Sequence, residues 1–248
     1  MAALKALKSL ISLAMHGGKI NKGRCPVCEK RTFFIEEGPY LREHYRCFFC
    51  RSQPRNRALM HVLRTYYPEY RYLKIHESSP SGPSSKKIAA ICLDYCPTQY
   101  FHDTPSGEYK NGVRCENLEC MTFPDEHFDL VITQDVVEHI MNPERAFKDI
   151  ARTLKPGGAH VFTVPIFSKK TLVRARKIDE TVQFLETPDY HGNPVNEKRS
   201  LVVREWGEDI LDFILEWSGM TTSVYTTYDR NFGLDGQFLD VLVSKKSK

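Results

Sequence analysis

Apolar positions along this chain recur with two periods, and the switches between them mark out the elements. Leu4, Leu7, Leu10, Ile11 and Ala14 follow helical spacing, with Lys5, Lys8, Ser9 and Ser12 elsewhere on the wheel. The stretch Arg57–Leu63 predicts a second helix, ending before Pro68. From there strands and helices alternate. Tyr72 to His76 and Lys87 to Leu93 read as strands. Phe128 to Thr133 is short, apolar and sharply bounded, as buried parallel strands are. Asn142 to Leu154 predicts a helix with Pro143 in its first turn. Lys155-Pro156-Gly157-Gly158 ends it, and Ala159 to Val164 is the next strand. Ser200 to Gly207 then leads into a helix from Glu208 to Trp217. Such alternation predicts an α/β fold, a doubly wound Rossmann-like sheet, whose ligands lie beyond the carboxyl ends of its strands.

A chain of 248 residues is long enough for one sizeable core and a small appendage. Its 35 basic and 31 acidic residues leave a formal charge of +4, too weak to argue for nucleic acid. No run reaches the roughly 18 apolar residues of a membrane span. The N-terminal helix, residues 1–20, is interrupted by lysines and serines, unlike a signal peptide. It docks on protein or on a membrane surface, protein being favoured.

Eight cysteines in a chain this long point to a reducing, cytoplasmic setting rather than a disulfide framework. Four are paired: Cys25-x2-Cys28, eighteen residues, then Cys47-x2-Cys50. Each knuckle aims two thiolates at one point, and two knuckles complete a tetrahedron around zinc. Thr32 to Ile35 and Glu43 to Arg46 read as a hairpin between them, turning at Gly38-Pro39. Four thiolates leave no open position, which makes the zinc structural. The organisation expected is this zinc-ribbon-like module over 21–55 and the α/β domain over 56–248. Arg24, Arg31, Arg42, Arg46, Arg51, Arg55 and Arg57 surround the module. They read as a solvated face or, less favoured, as a contact for RNA.

The segment FDLVITQDVVEHIMNPERAFKDIARTLKPGGAHVFTVP, residues 128 to 165, resembles the class I S-adenosylmethionine-dependent methyltransferases. Phe128-Asp129-Leu130-Val131 looks like their fourth strand, and Glu138-His139 through Gly158 like the elements that follow. The resemblance covers roughly residues 70 to 245. It implies S-adenosylmethionine as cofactor and the type 11 group of the family. In most members the first strand runs into a glycine-rich turn. Here His76-Glu77-Ser78-Ser79-Pro80-Ser81-Gly82 stands in that place. The resemblance assigns Ser78, Ser79 and Gly82 to the cofactor's carboxylate and Glu77 to its ammonium. It makes Asp94, nineteen residues after Ile75, the acid for the ribose hydroxyls, and Tyr95 the flank of the adenine. Asn117 falls on the position that meets the adenine amino group, with Leu118 packed on the ring, and Thr133 and Gln134 close the cofactor edge.

Methyl transfer from an activated sulfonium asks the enzyme mainly to position the acceptor and take its proton. Two stretches qualify. His191, in Pro188-Asp189-Tyr190-His191-Gly192-Asn193-Pro194, is the candidate base, its ordinary pKa lying near neutrality. His139 is the second, within Asp135-Val136-Val137-Glu138-His139, whose spacing resembles a cluster that holds a divalent ion in some members. Stabilising the helix start is the competing reading for that cluster. Arg174, Arg176 and Lys177 precede the His191 loop and read as contacts for an anionic acceptor. The function expected is methylation of a small-molecule or glycan acceptor at oxygen or nitrogen. The alternatives are an RNA methyltransferase using the basic module, and a non-catalytic scaffold with a degenerate loop.

Overall fold

A computed structural model describes residues 17–179, 181–192 and 199–248. The N-terminal helix expected over residues 1–20 therefore lies almost wholly outside the described residues. The chain forms two compact units.

The first unit takes in residues up to 71, with 82–91 and 225–241. Strands β1 (Ile20–Arg24), β2 (Arg31–Glu36) and β3 (Tyr45–Cys47) form an antiparallel sheet in that order. Alternation buries Thr32 and Phe34 and exposes Arg31 and Phe33 on the other face. Glu43 and His44 were expected in the third strand but lie in a short helix, α1 (Leu41–His44). Helix α2 (Pro54–Tyr66) begins where Pro54 sits in the first turn and Gln53 and Asn56 cap each other reciprocally. Arg57 on α2 is fully buried. Its guanidinium stacks 4.7 Å from the Phe34 ring centroid and donates to the carbonyls of Tyr45 (2.8 Å) and Gly233 (2.6 Å).

Helix α3 (Gly82–Ile91) replaces the strand expected over Lys87–Leu93. The apolar run Ile88-Ala89-Ala90-Ile91 looks extended by itself. It is the end of a helix whose buried face begins with Ser84 and Ser85 and continues at Ile88. Serines at core positions hid the 3.6-residue period.

The second unit, residues 72–81, 92–224 and 242–248, is built on one sheet. Its strands are β4 (Lys74–Ser78), β5 (Asp94–Gln99), β6 (Tyr109–Lys110), β7 (Val113–Cys115), β8 (Phe128–Gln134) and β9 (Leu154–Thr163). Small hairpins and bridges follow: β10 (Ile166–Ser168), β11 (Leu172–Val173), β12 (Ala175–Ile178), β13 (Thr181–Phe184), β14 (Tyr190–His191), β15 (Ser200–Leu201) and β16 (Arg204–Gly207). With β17 (Thr221–Tyr225) and β18 (Val241–Lys245) the main sheet runs β17-β18-β9-β8-β4-β5-β7-β6. Pairs β4–β5, β4–β8, β5–β7 and β8–β9 are parallel.

Helix α4 (Pro143–Thr153) starts where the Asn142 side chain accepts from the Arg145 N–H at 3.1 Å. It packs Phe147 and Ile150 against Phe128, Phe162 and Trp206. Helix α5 (Ile210–Ser218) adds Ile210 and Ile214 to the same core. The Lys155–Gly158 break is a register shift inside β9: Phe128 faces Leu154, but Leu130 faces Ala159. No described helix is long and apolar enough to cross a membrane.

Candidate functional site

The four paired cysteines converge in the first unit, every Sγ within 4.8 Å of the others. Cys25 and Cys50 Sγ lie 3.6 Å apart, Cys28 and Cys47 3.9 Å apart. A tetrahedron with metal–sulfur bonds of about 2.3 Å has edges of about 3.8 Å. The two knuckles are alike: Glu29 N donates to Cys25 O at 2.8 Å and Arg51 N to Cys47 O at 2.9 Å. Glu29 and Arg51 both adopt positive φ, 63° and 62°, to close these turns. Ser52 Oγ lies 3.2 Å from Cys50 Sγ, and Thr32 Oγ1 3.4 Å from Cys47 Sγ. Hydrogen bonds from Cys25 and Cys28, opposed by Cys47 and by burial, pull Cys50 down to about 6. Burial lowers the Arg57 guanidinium to about 10, and Cys25 and Cys47 hold it charged. Most of the surrounding arginines are spoken for. Arg51 and Arg46 pair with Glu37, at 2.6 and 3.6 Å, while Arg42 and Arg55 pair with Glu43.

In the second unit β4, β5, β7, β8 and β9 end at Ser78, Gln99, Cys115, Gln134 and Thr163. That carboxyl edge is where a doubly wound sheet receives ligands. Glu77 is fully buried there. Tyr95 Oη donates to its Oε2 at 2.7 Å and Gln134 Nε2 to its Oε1 at 2.8 Å. Burial, reinforced by the Glu77 charge, raises the Tyr95 hydroxyl well above its ordinary range. Two residues beyond the strand ends take the left-handed conformation: Ser79 (φ 55°) after β4 and Asp135 (φ 52°) after β8. The backbone thus turns sharply at both tips without a glycine at either. Ser79 N donates to Thr98 O at 2.8 Å, Asp135 N to Thr163 O at 2.9 Å.

Asp94 falls away from this edge, and the other expected site residues have the surroundings that follow. Asp94 opens β5 rather than ending a strand, and its register partner is Lys74, the first residue of β4. It is exposed at the amino edge, the far end from Ser78 and Gln134. The strand begins at Asp94 because the preceding apolar run is helix α3. Gln99, unremarked in the sequence, ends β5 instead and shares Glu77's face of the sheet, since Glu77 pairs with Pro97. Gln99 Oε1 is buried and has no hydrogen-bond partner among the described residues. Thr133 points into the sheet's other face, its hydroxyl 2.9 Å from His160 Nε2. Ser78 is buried as the last residue of β4. Gly82 (φ 74°) opens α3 in the first unit. Asn117 Oδ1 accepts from Glu119 N at 3.0 Å, capping its own turn, and Leu118 belongs to the core. Arg174 pairs with Glu205, and Arg176 donates to Gln183 at 2.8 Å.

Past β8, a 3-10 turn over Val137–His139 places a second polar group. The hairpin of β14 and β15 brings His191 to it, although His139 and His191 are far apart in sequence. Glu138, His139 and His191 each offer one atom within 4.8 Å of the others. Asp135, expected to share a helical face with Glu138 and His139, instead accepts the Thr163 hydroxyl at 2.9 Å. Burial lowers the pKa of His139.

Residues 82–162 match the family described as methyltransferase domain. A ubiquinone biosynthesis O-methyltransferase of Coxiella burnetii is 32% identical over 52 residues, 21% of this chain and 22% of that protein. A ubiquinone/menaquinone biosynthesis C-methyltransferase of Francisella tularensis subsp. novicida is 32% identical over 72 residues, 29% of this chain and 28% of that protein. The chain thus spans about a quarter of the length of these curated relatives. Among solved structures, 1,6-didemethyltoxoflavin-N1-methyltransferase of Burkholderia thailandensis, with bound 1,6-didemethyltoxoflavin and S-adenosylhomocysteine, aligns with a TM-score of 0.50 at 13% identity. That match covers 78% of this chain and 79% of that one. An S-adenosylmethionine dependent methyltransferase of Mesorhizobium loti gives a TM-score of 0.50 at 16% identity, over 76% of this chain and 97% of that one. The chain therefore has the Rossmann-like fold of S-adenosylmethionine-dependent methyltransferases, and its 82–162 segment matches their domain.

Proposed function

We propose that this chain is an S-adenosylmethionine-dependent methyltransferase acting on a small-molecule acceptor, with a structural zinc in its four-cysteine site. The observation that carries the reading is the carboxyl edge of the sheet. A fully buried carboxylate, Glu77, is held there from the strands on both sides, Tyr95 donating to one oxygen and Gln134 to the other. Gln99 Oε1, without a hydrogen-bond partner among the described residues, lies on the same face, at the end of the next strand. These groups fit a cationic, hydroxyl-bearing ligand: Glu77 for an ammonium and Gln99 for a ribose hydroxyl. Ser79 replaces the usual glycine by adopting the left-handed conformation itself.

S-adenosylmethionine, when bound, supplies a methyl group on an electrophilic sulfonium. The chain's own residues hold it, orient the acceptor and accept a proton. Glu138, His139 and His191 form the acceptor side, with His191 the more exposed imidazole. The short matches to enzymes of quinone biosynthesis, and the toxoflavin methyltransferase among the structural neighbours, support a small molecule over a glycan. The pairing of four module arginines with Glu37 and Glu43 weakens the RNA reading.

The four-cysteine site fits zinc by donor type, by spacing and by its twin knuckles. Zinc there would cross-link the two knuckles.

Calorimetric titration with S-adenosylhomocysteine tests the reading. Micromolar binding that weakens in Glu77→Gln supports it. No binding at millimolar ligand leaves a scaffold with an inherited fold.

A further inference from the structure

We propose that the outer face of the β1–β2 hairpin binds single-stranded nucleic acid, with bases on Phe33 and Phe49 and phosphates on Lys22, Arg24, Lys30 and Arg31. Alternation turns Lys22 and Arg24 of β1, and Arg31 and Phe33 of β2, to solvent. Lys22 is the register partner of Phe33 and Arg24 of Arg31, so the four side chains share one face. Between Arg31 and Phe33, Thr32 points the other way, its Oγ1 3.4 Å from Cys47 Sγ. The cysteine site thus backs this face.

The second cysteine knuckle extends it. Phe48 N donates to Phe33 O at 2.9 Å. The next residue, Phe49, is 53% exposed, against 45% for Phe33. Phe48 and Phe49 meet edge to face, ring centroids 5.3 Å apart, and Lys30 Nζ lies 5.2 Å from the Phe49 centroid. Lys22, Arg24, Arg31, Phe33 and Phe49 line an open cavity of about 550 Å³. That is a volume typical of small-ligand sites. A second cavity of about 240 Å³ shares Arg24 with it and adds His61 and Arg64.

Charge decides what this face receives. The basic side chains of the module fall into two sets. Arg42, Arg46, Arg51 and Arg55 are ion-paired with Glu37 or Glu43. Lys22, Arg24, Lys30 and Arg31 are exposed and make no ion pair among the described residues. No carboxylate lines the larger cavity. Glu29, the acid of the smaller one, is held by Arg64 at 2.6 Å and Lys87 at 3.1 Å. A row of cations without counter-charges suits an anion, and exposed phenyl rings among them suit a flat group that stacks. A nucleic acid strand supplies both in repeating order. In a duplex the bases stack on one another, so only a single strand can lay a base on Phe33 or Phe49. A peptide added as a further strand is the competing ligand, and it needs a free sheet edge. The β1 edge is covered: Asn21 Nδ2 donates to the Arg230 carbonyl, and the Asn231 carbonyl packs directly on Gly23. The site belongs to the first unit and stands apart from what the second unit methylates.

The test is fluorescence anisotropy of a labelled oligouridine of about 12 nucleotides, titrated with the full zinc-loaded chain. Micromolar binding in low salt is expected. With three or four phosphates neutralised, raising the salt from about 50 to about 200 mM should weaken it roughly 20- to 50-fold. Phe33→Ala and Phe49→Ala should each weaken binding at least about fivefold and leave the salt slope unchanged. Lys22→Gln and Arg31→Gln should weaken it and lower the slope by about 0.7 each. Arg55→Gln, from the ion-paired set, should leave it within about twofold. Zinc content and unfolding midpoints check each variant, and Lys22→Gln, at an exposed strand position, carries the test should a phenylalanine variant fail to fold. The absence of binding in low salt overturns the proposal. So does equal affinity for uridine monophosphate, which marks a mononucleotide site. Displacement by polyglutamate as effective as by unlabelled oligouridine overturns it in favour of an acidic protein. Binding that both phenylalanine variants keep in full overturns it in favour of charge alone.

Discussion

Tyr95 donates its phenolic hydrogen to Glu77 across 2.7 Å, from the strand beside it. Gln134 supplies the matching bond to the other oxygen from the opposite strand. A buried carboxylate needs such donors, because its charge is costly to remove from water. Tyr95→Phe removes that bond to the Glu77 carboxylate. The expected loss is about 1.5 to 3 kcal/mol of unfolding free energy, read from urea denaturation. Glu77→Gln should instead cost cofactor affinity, since the amide carries no charge for an ammonium.

Gln99 and Asp94 lie at opposite ends of one strand, and they separate two accounts of ribose binding. Gln99→Ala should weaken S-adenosylhomocysteine by about tenfold, equivalent to one lost hydrogen bond of roughly 1.4 kcal/mol. Asp94→Ala, at the exposed amino edge, should leave the dissociation constant within about twofold. Calorimetry on both variants decides the matter, and the reverse pattern would restore Asp94 to the site.

The fold was legible from Phe128 to Val164, where a buried apolar strand, a capped helix and a second strand carry strong local signals. It was not legible between Gly82 and Gln99. There a helix buries Ser84 and Ser85, so its apolar residues cluster at one end and imitate a strand. That single error moved the strand end from Gln99 to Asp94, and the expected ribose ligand moved with it. The cysteine cluster could be read because its members lie in two local pairs. The Glu138–His191 proximity could not, because it depends on how a distant hairpin packs. His139 and His191 were each singled out, but only folding joins them.

One zinc per chain is expected by elemental analysis, and Cys25→Ser with Cys28→Ser should abolish it. Arg57 gives a subtler test. Its buried guanidinium lies in the field of Cys25 and Cys47 and ties α2 to the carbonyls of Tyr45 and Gly233. Arg57→Met removes the cation and leaves those carbonyls unpaired. A buried carbonyl left without its donor costs about 1 to 3 kcal/mol. Such a variant should release zinc to a chelator faster than wild type and unfold at lower denaturant.

His76 and His160 are fully buried on one face of the sheet. Each has one ring nitrogen on a threonine hydroxyl: His76 Nε2 on Thr98 at 2.8 Å, His160 Nε2 on Thr133 at 2.9 Å. Neither Nδ1 has a partner among the described residues. Burial lowers both to about 3, so both are neutral in the fold. An unfolded histidine titrates near 6.5. The unfolded chain therefore takes up protons that the folded chain refuses. Their stabilising contribution is complete above about pH 6.5 and falls as the pH drops toward 3. At pH 5 each costs about 2 kcal/mol relative to neutrality, at 1.36 kcal/mol per unit. Urea unfolding at pH 7.5 and at pH 5 measures the loss, with zinc content followed in parallel because thiolate ligation is itself acid-sensitive. The double variant His160→Leu with Thr133→Val removes one histidine and its partner hydroxyl together. It should cut the pair's acid-dependent loss by about half, and an unchanged loss would place the acid sensitivity elsewhere.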